Sequence, residues 1–171
     1  MDKAIPGTHI YWVEYRCLCC GSLPPDFYLD KKTKEISALY QVLFDCFEQI
    51  RQAQNEPILI TRGYSCTKHH LYLYLERLRR TYTYLTKEKI LAIIKNKGLT
   101  PYSTHIFGLA LDLLPQPKDI SRIVEIAKEI EPKLRIGYKG YRDNKYPHVH
   151  IDLGYKMYPR FSKHLRENAT W

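Results

Sequence analysis

Residues 103–112 read Ser-Thr-His-Ile-Phe-Gly-Leu-Ala-Leu-Asp, a pattern of the form SxHxxGxAxD. His105 offers an imidazole nitrogen and Asp112 a carboxylate oxygen, and both are ordinary zinc ligands. Gly108 and Ala110 lie between them, and small residues let a backbone bend and pass close to a bound ion. From Leu109 onward the apolar residues alternate, with Ala110, Asp112 and Leu114 on one face and Leu109, Leu111 and Leu113 on the other. Asp112 is therefore expected on a strand, with His105 in the turn that leads to it. A further ligand is suggested downstream in His148-Val149-His150-Ile151-Asp152-Leu153, a period-2 run that puts His148, His150 and Asp152 on one face. Burying three ionisable groups unpaired on one face of a core strand is costly, and a metal accounts for them. Two His and one Asp leave the fourth zinc position open for water, the catalytic kind of site. Taken singly, each residue also reads as a half-buried histidine or a capping carboxylate; it is the two motifs together that favour the metal.

Several elements must hold these residues in place. Residues 10–15 (Ile-Tyr-Trp-Val-Glu-Tyr) look like a short strand, and Pro24-Pro25-Asp26 like a turn. From Glu35 to about Gln54, Ile36, Leu39, Tyr40, Leu43, Phe47 and Ile50 fall at helical spacing. Pro57 to Thr61 reads as an apolar strand that leaves through Arg62-Gly63-Tyr64-Ser65-Cys66. Leu71, Leu75 and Leu78 suggest a helix, and Thr86 caps a second one ending at Gly98. Tyr72, Tyr74, Tyr82 and Tyr84 alternate with basic residues there, either as a binding surface for an anionic or sugar-rich chain or as the inward side of a helical hairpin. Asp119 or Ser121 caps a helix with Ile120, Ile123, Val124, Ala127 and Ile130 on its buried side. Leu134 to Tyr138 is a strand, residues 140–146 a polar turn, and the basic, aromatic segment from Tyr155 to Trp171 has no decisive period. The cysteine pair Cys17/Cys20 has CxxC spacing, which suits a structural zinc or a redox pair. No second CxxC accompanies it, so the reading preferred for these thiols, with Cys19, Cys46 and Cys66, is small apolar fillers.

At 171 residues with 44% hydrophobic and 13% aromatic content, the chain has the material for one globular domain. Its net charge of +9 and pI near 9.3 favour anionic partners: nucleic acid, an acidic membrane face, or a polymer such as bacterial cell wall. No apolar run approaches the roughly 18 residues of a membrane helix. Residues 1–7 lack the charged-then-apolar pattern of a secretory signal. The chain is thus expected to be soluble and made in the cytosol, acting on cell wall only after phage-type release or trimming of a leader.

These motifs resemble those of the zinc D-alanyl-D-alanine carboxypeptidase and peptidoglycan endopeptidase family, whose metal site is shared with the hedgehog signalling domain. The resemblance rests on four blocks: Glu14 to Gly21 with its cysteines, Ile58 to Cys66 with its apolar strand and Gly-Tyr turn, the SxHxxGxAxD block, and the HxHxD block at His148, His150 and Asp152. It implies an α+β domain, a small, mostly antiparallel sheet flanked by helices, with an inserted helical segment near 67–102. It implies His105, Asp112 and His150 as the zinc ligands, and His148 beside the metal, assisting the transition state. The chain departs from the family twice. Ser65 stands where an Arg follows Gly-Tyr, and Pro147 stands where many members carry an acidic base. Asp143 is the nearest upstream carboxylate, so Asp143 or His148 is the candidate general base, with Asp143 preferred and His148 assigned to the oxyanion. Arg62, Tyr64, Ser65 and Ser103 are the candidate substrate contacts, and Asp152 could orient a histidine instead.

The function so implied is zinc-dependent hydrolysis of an amide bond in peptidoglycan stem peptides by a monomer, of carboxypeptidase or endopeptidase type. The alternatives are an inactive zinc-containing cell-wall-binding module, for which the two departures speak, and a basic nucleic-acid-binding domain, which leaves both histidine motifs unexplained.

Overall fold

The structure is a computed structural model, and it describes residues 3–81, 83–84, 86, 88–89, 91–92, 103–116, 119–138 and 147–157. The elements in chain order are helix α1 (Trp12–Tyr15), strands β1 (Tyr28–Asp30) and β2 (Glu35–Ile36), helix α2 (Ala38–Gln54), strand β3 (Ile58–Arg62), helix α3 (Thr67–Thr81), strand β4 (Ala110–Pro115), helix α4 (Ile120–Ile130), and strands β5 (Arg135–Gly137) and β6 (Val149–Asp152). Single 3-10 turns occupy Thr104–Phe107 and Gly154–Met157.

The two alternating stretches pair with each other. β4 and β6 run antiparallel in the middle of a sheet ordered β3-β4-β6-β5, every neighbour antiparallel. Asp112 lies opposite His150, Leu111 opposite Ile151 and Leu113 opposite Val149. Because side chains alternate, this register puts Leu111, Leu113, Val149 and Ile151 on one face and Asp112 and His150 on the other. The apolar face forms one buried cluster with Tyr40, Leu43, Phe44, Phe47 and Ile50 of α2 and with Ile120, Ile123, Val124 and Ala127 of α4. Each large side chain buried there contributes about 1.5–3 kcal/mol. Asp119 caps α4, its carboxylate accepting the Arg122 N–H at 3.1 Å. The result is the expected α+β arrangement, an antiparallel sheet with helices against it.

The N-terminal third differs from expectation in two places. Residues 10–15 do not form a strand. The Glu14 carboxylate accepts the Tyr11 N–H at 2.8 Å and closes the one-turn helix α1, leaving an isolated bridge between Ala4 and Tyr11. Here a local side-chain hydrogen bond outweighs the alternation. The turn also delivers Tyr15, fully buried, whose hydroxyl donates to the Gly108 carbonyl at 2.7 Å. The second difference is that Glu35 and Ile36 belong to a hairpin with Tyr28–Asp30, so α2 starts at Ala38.

Helix α3 occupies the start of the expected inserted segment, with Leu71, Tyr74, Leu75 and Leu78 packed together. Tyr72 and Tyr84 are exposed. Thr86 Oγ1 accepts the Lys89 N–H at 3.4 Å; most of the second expected helix, Tyr82, the 140–146 turn with Asp143, and the segment from Tyr158 lie outside the described residues. No described helix is long and apolar enough to cross a membrane.

Candidate metal centre

Asp112 and His150 meet because they are cross-strand partners on the polar face of β4 and β6. His105 reaches them from the 3-10 turn before β4. That turn is capped by Ser103, whose Oγ accepts the His105 N–H at 3.3 Å, and it ends at Gly108 with φ +71°. Glycine is required at position 108 because the left-handed conformation is strained for other residues. A Cβ there would also run into the Pro24 ring and lie 2.7 Å from the Tyr15 hydroxyl.

The three ligand atoms converge. His105 Nε2 is 3.2 Å from Asp112 Oδ1, His150 Nδ1 is 2.8 Å from the same oxygen, and the two nitrogens are 3.2 Å apart. A tetrahedral ion with bonds of 2.0–2.1 Å needs ligand atoms about 3.3 Å apart, so the triangle has the size that zinc requires after a shift of a few tenths of an ångström. His105, Asp112 and His150 are all buried, and the remaining nitrogen of each ring has its own acceptor. His105 Nδ1–H donates to the Gly63 carbonyl at 2.6 Å, and His150 Nε2–H donates to Asp152 Oδ2 at 2.9 Å. These bonds turn one Nε2 and one Nδ1 lone pair toward the centre, as metal-ligating histidines require. Donor set, spacing and outer bonds therefore fit a divalent zinc.

Electrostatics separates the two imidazoles. Burial pushes His105 below its ordinary pKa, and Asp112 only partly opposes the shift. Burial disfavours the charged His150 as well, but hydrogen bonds to Asp112 and Asp152, one on each ring nitrogen, outweigh it and raise the group to about 9. Burial raises the Asp112 carboxyl, yet His105 and His150 overcome that and hold it well below the usual carboxylate range. A proton on His150 thus supplies the positive charge between the Asp112 and Asp152 carboxylates.

Asp152 is 1% exposed and belongs to the same network. Its Oδ1 accepts the Gly154 N–H at 2.7 Å and lies 3.5 Å from Arg135 Nη1 across the strand pair. The sequence had left Asp152 between ligand and orienting partner; its carboxylate contacts the outer side of His150. The role of Arg135 was not foreseen, since it depends on a register between β5 and β6 that no local pattern reveals.

His148 Nε2 lies 4.0 Å from Asp112 Oδ2, beside the triangle and partly exposed. Of the candidate substrate contacts, Arg62 sits opposite Asp112 in the sheet, donating from Nε to Ser65 Oγ at 3.0 Å and from Nη2 to His70 Nδ1 at 2.9 Å. Ser65 is fully buried, its N–H bonded to the His105 carbonyl at 3.0 Å, and Tyr64 is buried beside it. His70 was overlooked in the sequence. Burial, then the charge of Arg62, lowers it to about 4, so it is a neutral acceptor at the edge of the site. The adjacent His69-His70 pair at the start of α3 was the available signal.

No family model matches the chain, and no curated protein matches it. Among solved structures it is similar to the L-Ala D-Glu endopeptidase ChiX of Serratia marcescens, at 13% identity and a TM-score of 0.41, over 70% of this chain and 83% of that one.

Proposed function

We propose that the chain is a zinc-dependent hydrolase of an amide bond in peptidoglycan stem peptides, of D,D-carboxypeptidase or endopeptidase type. The observation that carries this reading is the buried triangle of His105, Asp112 and His150, each ring braced by a second hydrogen bond. Two buried histidines serving only to fill space have no need of a carboxylate facing both. Bound there, zinc supplies Lewis acidity toward a carbonyl oxygen and brings the pKa of water toward about 7.

The chain's own groups have separable tasks. His148 is assigned to the oxyanion that develops as the amide is attacked, since it stands next to the triangle on the partly exposed side. Asp143 is assigned as the general base that takes the proton from water and returns it to the leaving amine. Arg62 is assigned to a substrate carboxylate or carbonyl, while Tyr64, Ser65 and Ser103 hold the turns that frame the site. The choice of wall peptide as substrate rests on the SxHxxGxAxD and HxHxD blocks and on the charge of +9, which draws the protein to an anionic polymer.

Purified peptidoglycan incubated with the zinc-loaded protein, with and without chelator, and analysed by mass tests this directly. Chelator-sensitive release of D-Ala or of stem-peptide fragments is expected, and His150→Ala should abolish it together with the zinc held between His105, Asp112 and His150. Full hydrolysis by that variant would reject the ligand assignment. Pro147, standing where an acidic base is found in the family that the motifs resemble, favours a second reading, a zinc-holding but inactive wall-binding module. That reading predicts zinc binding and sedimentation with peptidoglycan without any new amine or carboxylate.

A further inference from the structure

A second group of metal-binding side chains lies outside the site described above. Cys17, Cys19, Cys20 and Cys66 bring four sulfurs within 4.8 Å of one another. Cys19 Sγ is 3.5 Å from both Cys17 Sγ and Cys66 Sγ. Cys19 and Cys20 are exposed, which overturns their reading as apolar fillers; that description suits Cys46, buried in α2. None of the five thiols is in a disulfide.

We propose that Cys17, Cys19, Cys20 and Cys66 bind a structural zinc ion. A tetrahedral zinc–tetrathiolate with bonds of 2.3 Å has sulfur–sulfur edges of about 3.8 Å, which the cluster reaches with small side-chain rotations. The backbone around it is already arranged for the ion. Residues 17–22 fold into a tight knuckle, with Gly21 N–H bonded to the Cys17 carbonyl at 2.7 Å and Cys17 N–H to the Ser22 carbonyl at 2.9 Å. Gly21 takes φ +67°, the left-handed residue such a knuckle needs directly after its last cysteine. Two backbone donors point at sulfur, Cys66 N–H to Cys17 Sγ at 3.3 Å and His69 N–H to Cys66 Sγ at 3.4 Å. His69 Nδ1 lies 3.5 Å from Cys17 Sγ and can donate to the thiolate. Cys66 also stands just before the first turn of α3, where the helix dipole favours a negative ligand. Soft thiolates in a four-sulfur set select zinc over magnesium or calcium.

The missing second CxxC is supplied by the fold. The fourth sulfur comes from a residue 46 positions after Cys20, at the end of the turn that follows β3. This joins the N-terminal knuckle to residues 63–66, and the Gly63 carbonyl in that turn accepts the His105 hydrogen bond. The thiolate ion would therefore brace the turn that orients His105 from outside the triangle.

The test uses the full chain, purified reduced, loaded with zinc and desalted. Two equivalents of zinc are expected, with one lost in Cys17→Ser or Cys66→Ser and the other lost in His150→Ala. Cobalt substitution should give the strong near-ultraviolet band of thiolate-to-metal charge transfer. That band should persist in His150→Ala, so failure of the hydrolase reading and failure of this one give different spectra. Should the serine variants not fold, alkylation of the wild type still decides: zinc should slow modification of Cys19 and Cys20 by roughly tenfold or more, since the sulfur electron pair that attacks the reagent is the one the metal occupies. A cobalt protein without the charge-transfer band, unchanged alkylation in the presence of zinc, or disulfides among these four residues in the purified zinc-loaded protein would each overturn the proposal.

Discussion

Replacing Asp152 by Asn changes almost no volume but alters three contacts in a site 1% exposed to solvent. Its Oδ2 accepts from His150 Nε2 at 2.9 Å, while Oδ1 accepts from Gly154 N–H at 2.7 Å and faces Arg135 Nη1 at 3.5 Å. An amide has one oxygen to offer in place of two. With its nitrogen toward His150, it forces the ring proton onto Nδ1, the atom facing Asp112, and a protonated Nδ1 cannot bind metal. With the nitrogen on the other side, it opposes two donors. Loss of such an orienting partner weakens metal binding by about 10–100-fold, or roughly 1.4–2.8 kcal/mol. Leaving the buried Arg135 without its counter-charge adds a stability loss of about 3–5 kcal/mol. Zinc affinity is read by competition with a chromophoric chelator at neutral pH, and stability by urea unfolding of the metal-free protein. Combining the change with Arg135→Met should restore much of the stability and little of the zinc affinity. Binding within about twofold of wild type in Asp152→Asn would refute the claim that this carboxylate sets the His150 tautomer.

Other outcomes are expected from the same geometry. Because His150 is raised from 6.5 to about 9, its stabilising proton is fully bound below 6.5 and lost as the pH climbs through 9. The metal-free protein should therefore lose stability to urea across that window, while zinc, which competes with the same proton, should bind more tightly; a flat stability profile from 6.5 to 9 would contradict this. Gly108→Ala should cost about 2–5 kcal/mol, the left-handed backbone and the collision with Pro24 and Tyr15 acting together, and a thermal melt unchanged from wild type would show the turn is not constrained as described. His148→Ala should keep its zinc but lose about 100-fold or more in wall-peptide hydrolysis, and an unaltered rate would remove it from the oxyanion role.

Much of the centre was legible in the residues. Period-2 alternation in 109–114 and 148–153 placed Asp112 and His150 on polar strand faces, because a pleated strand shows successive side chains to opposite sides. Helices α2 and α4 were legible for the matching reason at a period of 3.6. Residues 10–15 were not. Their alternation is real, but in a six-residue stretch one local hydrogen bond can decide the outcome, and Glu14 closes a turn.

What the sequence determined by itself is the inventory of side chains able to ligate a metal and the face on which each lies, since both follow from residue type and local backbone period. Only the tertiary structure decided which of those side chains meet. The pairing of Asp112 with His150, the Gly63 carbonyl behind His105, Arg135 behind Asp152 and Cys66 beside the 17–20 knuckle are all contacts between residues distant in the chain. They depend on strand register and on how turns close against one another. Those are settled by the collective burial of the apolar face, and no local stretch of residues encodes them.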